Sequence, residues 1–289
     1  MEDLAALLAR CRFPSGPATV DLAVSGGPDS LGLLLLAREA GLGVRVHHVD
    51  HHQRAESGAD AAFVVSVGRD LDVEVVVHDV SVPAGPNLEE RLRRARRAVL
   101  PAGTLTGHTM DDLAETVLLN LLRGAGVDGL SAMVGDPTKP LIECRRRDVA
   151  ALVASRGLEA RRDATNADPR FRRNRVRAEV LPLLADVAQR DVVPLLARTA
   201  GVIAEDRQWL DELAHDERSL EALDTRELVA WPPARRRRWL RERLRDELGH
   251  PPSAAELDRV LAVVRGEVVA TELAGGRRLA RRRRVLRLE

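Results

Sequence analysis

A chain of 289 residues with 45% hydrophobic content is long enough for one large domain and a smaller one, and its formal net charge of +1 argues against a uniformly basic or acidic protein. No apolar run approaches the roughly 20 residues that span a bilayer, and the acidic start Met1-Glu2-Asp3 is unlike a secretory signal or an arginine-rich transit peptide, so a cytoplasmic protein is expected. Cys11 and Cys144, with no Cys-x-x-Cys, argue against a disulfide framework, a structural zinc site or an iron–sulfur cluster and point to two free thiols.

Val20 to Val24 reads as a short apolar strand that runs into Ser25-Gly26-Gly27-Pro28-Asp29-Ser30 and then into an apolar helix, Leu31 to Ala40. Two adjacent glycines let bare backbone approach a ligand, and a helix start behind them attracts an anion, so these six residues are read as a phosphate cradle. Asp29 adds a magnesium-capable carboxylate, and Ser25 and Ser30 add hydroxyl donors. Taken alone, the segment also fits a glycine turn with Ser30 or Asp29 as a helix cap. Neither the Gly-x-x-x-x-Gly-Lys-Ser/Thr loop nor the dinucleotide fingerprint is present, and the chain's single lysine is Lys139. Ser-Gly-Gly-x-Asp-Ser after a first strand resembles instead the pyrophosphate loop of the N-type ATP pyrophosphatases.

Further along, Gly43 to Asp50 reads as a second strand and Ala59 to Leu71 as a helix. Val73 to Val77 lacks polar alternation, as in a parallel strand buried on both faces, and Asn87 to Leu100 is a helix. Thr104 to Thr106 is a short strand, and Met110 to Arg123 a helix with an apolar face. Strands alternating with helices predict an α/β fold with a doubly wound, mostly parallel sheet, its ligands at the carboxyl ends of the strands. Another helix follows at Asp148 to Arg156. From Leu181 helices dominate, the longest from Asp191 to Leu213, until a strand at Glu267 to Leu273, a turn at Gly275-Gly276, and strands at Arg277 to Ala280 and Val285 to Leu288. The expected division is a catalytic domain over residues 1–182 and a smaller, mainly helical C-terminal domain over 183–289 that ends in a β-hairpin. Trp209, Trp231 and Trp239 stand at helical positions and are expected in the core.

A second chemical signal is Thr106 to Thr116, between a strand and a helix. His108, Asp112 and Glu115 are spaced to share a face near the helix start, where they suit a cation, either magnesium on a nucleotide or a substrate ammonium. First-turn acidic residues that complement the helix dipole, with Asp111 or Asp112 as caps, are the alternative, and sequence does not say which of the two aspartates faces the ligand. Arginine clusters at 91–97, 145–147, 170–177, 235–238 and 281–284 fit a polyanionic partner, or an arginine-biased surface.

Together these segments resemble, in order, the motif series of the tRNA(Ile)-lysidine synthetase family: Ser25 to Ser30, Val49-Asp50-His51, Asn87-Leu88-Glu89 with Arg93 and Arg96, His108 to Thr116, Gly129-Leu130 with Met133, Pro140-Leu141-Ile142, and Asp163 to Asp168 leading to Arg173-Asn174-Arg175-Val176-Arg177. The likeness covers roughly residues 18 to 182. It implies an adenine-nucleotide α-hydrolase-like fold and an ATP-dependent ligase that forms a carbon–nitrogen bond. ATP adenylates O2 of the wobble cytidine of a CAU-anticodon isoleucine tRNA, and free lysine attacks C2 to give lysidine, releasing AMP and pyrophosphate. The implied cofactors are ATP and Mg2+. The resemblance places the loop, Ser25 through Ser30, on the pyrophosphate and Asp29 on magnesium. Asp112 and Glu115 fall on the lysine ammonium groups, Arg93 or Arg96 on the lysine carboxylate or α-phosphate, and His108 on phosphate or a proton. Asn166, Arg173, Asn174, Arg175 and Arg177 fall on the RNA.

The hairpin resembles a small tRNA-binding unit, and a homodimer is among the arrangements left open. Departures from the family are Arg97 in place of a tyrosine, Thr109 in place of a second histidine, and Arg161-Arg162 where an aromatic is common. Competing readings are a sister adenylating enzyme, such as a tRNA thiolase or an amidating synthetase, and a non-catalytic tRNA-binding protein. A thiolase should carry a catalytic cysteine pair or a Cys-x-x-Cys, neither of which is read in this sequence, and a binder needs no such set of carboxylates and loop residues.

Overall fold

The computed structural model describes residues 4–16, 18–52, 57–83, 85, 88–161 and 168–289, the side chains of 57, 88–90 and 93 excepted. Four strands, β1 (Thr19–Ala23), β2 (Gly43–Asp50), β3 (Glu74–Asp79) and β4 (Leu105–Thr106), form an all-parallel sheet in the order β3-β2-β1-β4. The chain leaves β1 for β2 on one side and reaches β4 on the other, so the strand order reverses between β1 and β4. In sheets of this kind a crevice opens at that switch point, beyond the carboxyl ends of the strands.

Helix α1 (Leu4–Ala9) precedes the sheet, and α2 (Pro28–Glu39) follows β1. The run Leu31 to Ala37 is apolar all round, and such a helix has to be buried on every side; Leu31, Leu33, Leu34 and Leu36 are at the centre of the first core with Leu22, Val46 and Val149. Helices α3 (Ser57–Asp70) and α4 (Leu88–Val99) make the next crossovers, α5 (Met110–Leu121) follows β4, and a short α6 (Val127–Leu130) leads towards α7 (Arg146–Ser155), which packs on α2. Cys11 and Cys144, 133 positions apart in sequence, meet in this core with Sγ atoms 3.8 Å apart, and both remain thiols. The contact with Cys144, together with burial, raises the Cys11 pKa.

The β-branched run at β3 is not buried on both faces as expected. It is the edge strand, and Val77 is 38% exposed because a single neighbour, β2, covers it.

Helix α8 (Arg172–Arg175) continues through a π-helical stretch, Val176–Val180, into α9 (Leu181–Ala188), and α10 spans Val193–Ala214. The chain separates into two compact units, 1–204 and 205–289. The first reaches into α10 through apolar contacts: Leu181, Val192 and Val193 pack with Ala114, Leu118 and Val176, and Ala200 packs with Leu113 and Val117, which ties the first half of α10 to α5.

The second unit holds α11 (Thr225–Ala230), α12 (Pro233–Leu248), α13 (Ala254–Arg265) and an antiparallel meander of β5 (Ala270–Glu272), β6 (Arg278–Arg282) and β7 (Val285–Leu288). Its core contains Trp239, Leu240, Leu244, Val260 and Leu279, with Trp231 edge-on to Trp239 at 5.8 Å. Ser253 and Glu256 close a capping box on α13, and left-handed Gly266 ends it, as the sequence pattern of that helix requires. Trp209 departs from expectation: it is 60% exposed on α10.

Candidate active site

Beyond β1 the chain turns through Gly26, whose φ of +85° suits glycine, and enters α2 with Pro28 in its first turn. No side chain caps this helix start. The two loop hydroxyls face each other instead: Ser30 Oγ donates to Gly27 O (2.9 Å), accepts from Ser25 N (3.2 Å) and lies 3.3 Å from Ser25 Oγ. The loop is closed from outside by Arg161, whose N–H donates to Gly26 O (2.9 Å) while its guanidinium lies 5.0 Å from the centre of the Phe63 ring. Arg161 thus packs by cation–π contact where the family places an aromatic.

The segment after β4 comes against this loop. A Cβ on Gly107 would lie 2.5 Å from Asp29 O, so only glycine permits the two turns to touch. His108 precedes α5 rather than sharing its face, and its Nδ1 lies 2.8 Å from Thr106 Oγ1. Burial lowers the His108 pKa to about 4, against the opposing pull of Asp112, so the imidazole is neutral at neutral pH.

Asp111 and Asp112 are now distinguished. Asp111 receives Arg145 (3.1 and 3.2 Å) and the Arg146 N–H (2.8 Å), which fixes the start of α7. Asp112 pairs instead with Thr109 and Arg146. Its Oδ2 accepts from Thr109 N and Thr109 Oγ1, both at 2.9 Å, a use of the position that in the family pattern holds a second histidine. Burial works against ionisation of Asp112, but Arg146 and the Thr109 N–H outweigh it and hold its carboxyl below the usual range.

The residue that unites the site is Arg146, at the start of α7. Its Nε donates to Asp29 Oδ2 (3.1 Å), Nη2 to Asp112 Oδ1 (2.8 Å) and Nη1 to Glu115 Oε1 (2.9 Å). Burial disfavours its charge, yet Asp112, Glu115 and Asp29 together push its pKa further up. Asp29 keeps a second oxygen, Oδ1, that is buried without a hydrogen-bond partner. Burial raises the Asp29 pKa to about 6, with the Asp112 charge adding and Arg146 opposing.

Glu115 is fully buried and takes two further guanidinium groups. Arg177 donates to both its oxygens (2.7 and 3.1 Å), and Arg173 Nε lies 3.0 Å from Oε2 while its Nη2 donates to Thr116 Oγ1 (2.7 Å). Two of the residues expected on RNA therefore turn inward. Arg175 pairs with Glu179 on the surface, and Asn174 Nδ2 donates to Asp168 O (2.9 Å). Asn166 and the Arg93 side chain lie outside the described residues. Arg96 is half-buried, and its charge adds to the dominant effect of burial in lowering the pKa values of His51 and His108. Lys139 is tied to Asp136.

At the ends of β2 and β3, His52 Nε2 lies 3.0 Å from Asp79 Oδ1 and its backbone N–H donates to Asp50 Oδ1 (2.8 Å); among the described residues, no other three His, Cys, Asp or Glu side chains converge closely enough to share an ion.

Sequence reasoning missed Arg146, Thr109 and Gly107. Arg146 had a signal, the basic run Arg145 to Arg147, but a charge run reads as surface when nothing local shows what it meets.

The arrangement has counterparts. A family model described as a PP-loop domain matches residues 2–184. The tRNA(Ile)-lysidine synthase of Salinispora tropica is 39% identical over 304 residues, spanning 92% of this chain and 89% of that protein. That of Nocardia farcinica is 37% identical, spanning 87% and 83%, and that of Mycolicibacterium paratuberculosis is 44% identical, spanning 70% of this chain and 64% of its own length. Among solved structures, U34-tRNA thiolase NcsA from Methanococcus maripaludis aligns with a TM-score of 0.51 at 16% identity, over 70% of this chain and 76% of that one, a likeness of fold.

Proposed function

The chain belongs to the tRNA(Ile)-lysidine synthase family with its PP-loop domain, and from that premise we propose that it joins lysine to the wobble cytidine of a CAU-anticodon isoleucine tRNA at the expense of ATP. The observation that carries the reading is the single guanidinium of Arg146 spanning Asp29 of the phosphate loop and Asp112 of α5, which makes the two predicted subsites one pocket.

In the first step cytidine O2 attacks the α-phosphorus, the α–β phosphoanhydride breaks and pyrophosphate leaves. The backbone of residues 25–30 and the Ser25 and Ser30 hydroxyls hold the departing group at the start of α2. Arg146, Arg173 and Arg177, gathered on Glu115, supply positive charge to the α-phosphate beside it. Magnesium fits at Asp29, whose Oδ1 is buried without a partner, and when bound would offset charge on the pyrophosphate.

In the second step the lysine ε-ammonium gives a proton to solvent and the free amine attacks C2; a carbon–nitrogen bond forms, and the C2–O bond breaks as AMP departs with the oxygen. Asp112 orients the ammonium form of lysine. Neutral His108 serves as a hydrogen-bonding group rather than a fixed cation. Arg93 and Arg96 remain assigned to the lysine carboxylate or the α-phosphate. Asn166, Asn174 and Arg175 are assigned to the RNA, with the residue 205–289 unit as a further tRNA contact. No helix among the described residues is long and apolar enough to cross a membrane, which is consistent with action in the cytoplasm.

A thiolase reading is disfavoured by the sulfur inventory. The chain has two cysteines, in contact with each other in the core, whereas iron–sulfur clusters take several cysteine thiolates. The test is ATP-dependent incorporation of radiolabelled lysine into CAU-anticodon isoleucine tRNA by the purified chain. Label on that tRNA is the expected result. Pyrophosphate release without label would replace the reading with a sister adenylating enzyme, and silence in both assays with a non-catalytic binder.

A further inference from the structure

The carboxylates assigned to a substrate ammonium are already occupied. Glu115 is satisfied without Arg146, because Arg177 reaches both its oxygens and Arg173 lies against one of them. Asp29 and Asp112 are not. Among the described residues, Asp29 Oδ2 and Asp112 Oδ1 each receive one charged donor, and in both cases it is Arg146. Removing that guanidinium would leave two neighbouring, largely buried carboxylates with no hydrogen-bonded cation, Arg173 and Arg177 acting on them only from a distance, which is costly.

We propose that Arg146 is a resident cation that fills an ammonium subsite between Asp29 Oδ2 and Asp112 Oδ1, leaving Asp29 Oδ1 to magnesium, and that the substrate's primary ammonium enters by displacing it onto Glu115. The inference rests on the lysine reading for the identity of the substrate and on the geometry for the displacement. The exchange is charge for charge: an ammonium brings three N–H donors to the same two oxygens, so neither carboxylate is left bare. The side chain is placed to move. The Arg146 backbone N–H is anchored to Asp111 (2.8 Å), which holds the start of α7 while the guanidinium swings, and Nη1 already reaches Glu115 (2.9 Å), where the displaced group keeps a partner. The side chain is 21% exposed, so its departure does not require the apolar core to open. A substrate without a cationic end cannot make the exchange, which makes Arg146 a specificity-determining residue.

The experiment is arginine footprinting of the full wild-type chain with phenylglyoxal, read by peptide mass spectrometry. The arms contain no addition, lysine, or n-butylammonium chloride, all with ATP. With both additions Arg146 labelling is expected to rise by about tenfold, in line with loss of charge-assisted hydrogen bonds, while Arg173 and Arg177 stay constant. Labelling of Arg146 that is unchanged or reduced in both arms would overturn the displacement. A rise with n-butylammonium and none with lysine would retain the displacement and remove the lysine reading instead, a result that lysine incorporation into tRNA checks independently. Arg146→Lys supplies a second readout. A single ammonium grips fewer of the three carboxylates than a guanidinium fork, so the lysine KM should fall by about tenfold. An equal or higher KM in the folded variant would show that Arg146 supports the site without yielding its place.

Discussion

Arginine does opposite work in the two units. At the carboxyl end of the parallel sheet, Arg146, Arg173 and Arg177 converge on a carboxylate that solvent does not reach. In the 205–289 unit the Arg237–Asp258 pair lies on the surface instead, with side chains 49% and 63% exposed. Buried ion pairs stabilise little relative to an apolar replacement of the same shape but are costly to break, whereas exposed pairs are nearly neutral either way. The comparison teaches that arginine pairs of similar length do different work according to burial: the cluster on Glu115 shapes a site at the expense of stability, and the Arg237–Asp258 pair keeps a surface wet.

The largest effect should follow from Glu115→Ala. It strips three guanidinium groups of a shared acceptor, and we expect a loss of about 3–5 kcal/mol in urea unfolding of the first unit together with loss of lysine transfer. Glu115→Gln, which keeps shape and one acceptor, should recover part of the stability and little of the transfer. If Glu115→Ala unfolds at the wild-type urea concentration, the buried cluster is not under the electrostatic constraint described.

The counterpart in the second unit is Trp239→Ala. Trp239 is fully buried, and its indole N–H donates to Asp216 O (3.1 Å), so truncation opens a large cavity and orphans a carbonyl. About 3–5 kcal/mol is expected, carried by lost burial rather than by charge. Urea unfolding of the second unit reads this loss, and a change below about 1 kcal/mol would mean that Trp239 is not the centre of that core.

A smaller effect is expected from His108. Its pKa in the folded chain is about 4 against an ordinary 6.5, because burial disfavours the imidazolium. Between those values the unfolded chain binds more protons than the folded one. The contribution of His108 is therefore complete above about pH 6.5 and is lost as pH falls towards 4, by about 3 kcal/mol. Asp29 acts in the other direction: with its pKa raised from 3.8 to about 6, the folded chain binds more protons across that range and gains stability as pH falls. The two offset each other in the wild type, so the informative quantity is the stability difference between wild type and His108→Asn. The wild type's relative stability should decline from pH 6.5 to 4, and a flat difference would mean that His108 is not held neutral.

These contrasts also explain what the sequence disclosed. Ser25 to Ser30 was legible because a strand, a glycine turn and a helix start are contiguous, and the alternation that predicts a parallel sheet places such a loop at its carboxyl end. The Asp112 and Glu115 pair was legible through helical spacing. Their partner was not: Arg146 lies 34 positions beyond Asp112, and no periodicity connects the start of α7 to α5. Arg173 and Arg177 were read as RNA contacts for the same reason, since a basic helix start gives no sign that it faces a buried glutamate. A change of composition near residue 182 marks where helices begin to dominate, but it does not disclose that apolar contacts of Val192, Val193 and Ala200 carry the first compact unit to residue 204. Trp209 shows the converse limit. Helical spacing alone does not distinguish an inward indole from an outward one.

The smallest effect tests the surface pair. Arg237 Nη2 donates to Asp258 Oδ1 at 2.9 Å across α12 and α13, a distance as short as the contacts on Glu115. If distance governed the energy, this pair would matter as much as the buried ones. Its exposure predicts otherwise, because water screens both charges and ordering two long side chains offsets much of the attraction. A double-mutant cycle of Arg237→Ala and Asp258→Ala should give a coupling of about 0.5 kcal/mol or less, shrinking further with added salt. A coupling of several times that size would place this pair among the site-shaping arginines. Burial would then no longer be what separates the arginine that holds a catalytic pocket from the arginine that covers a core.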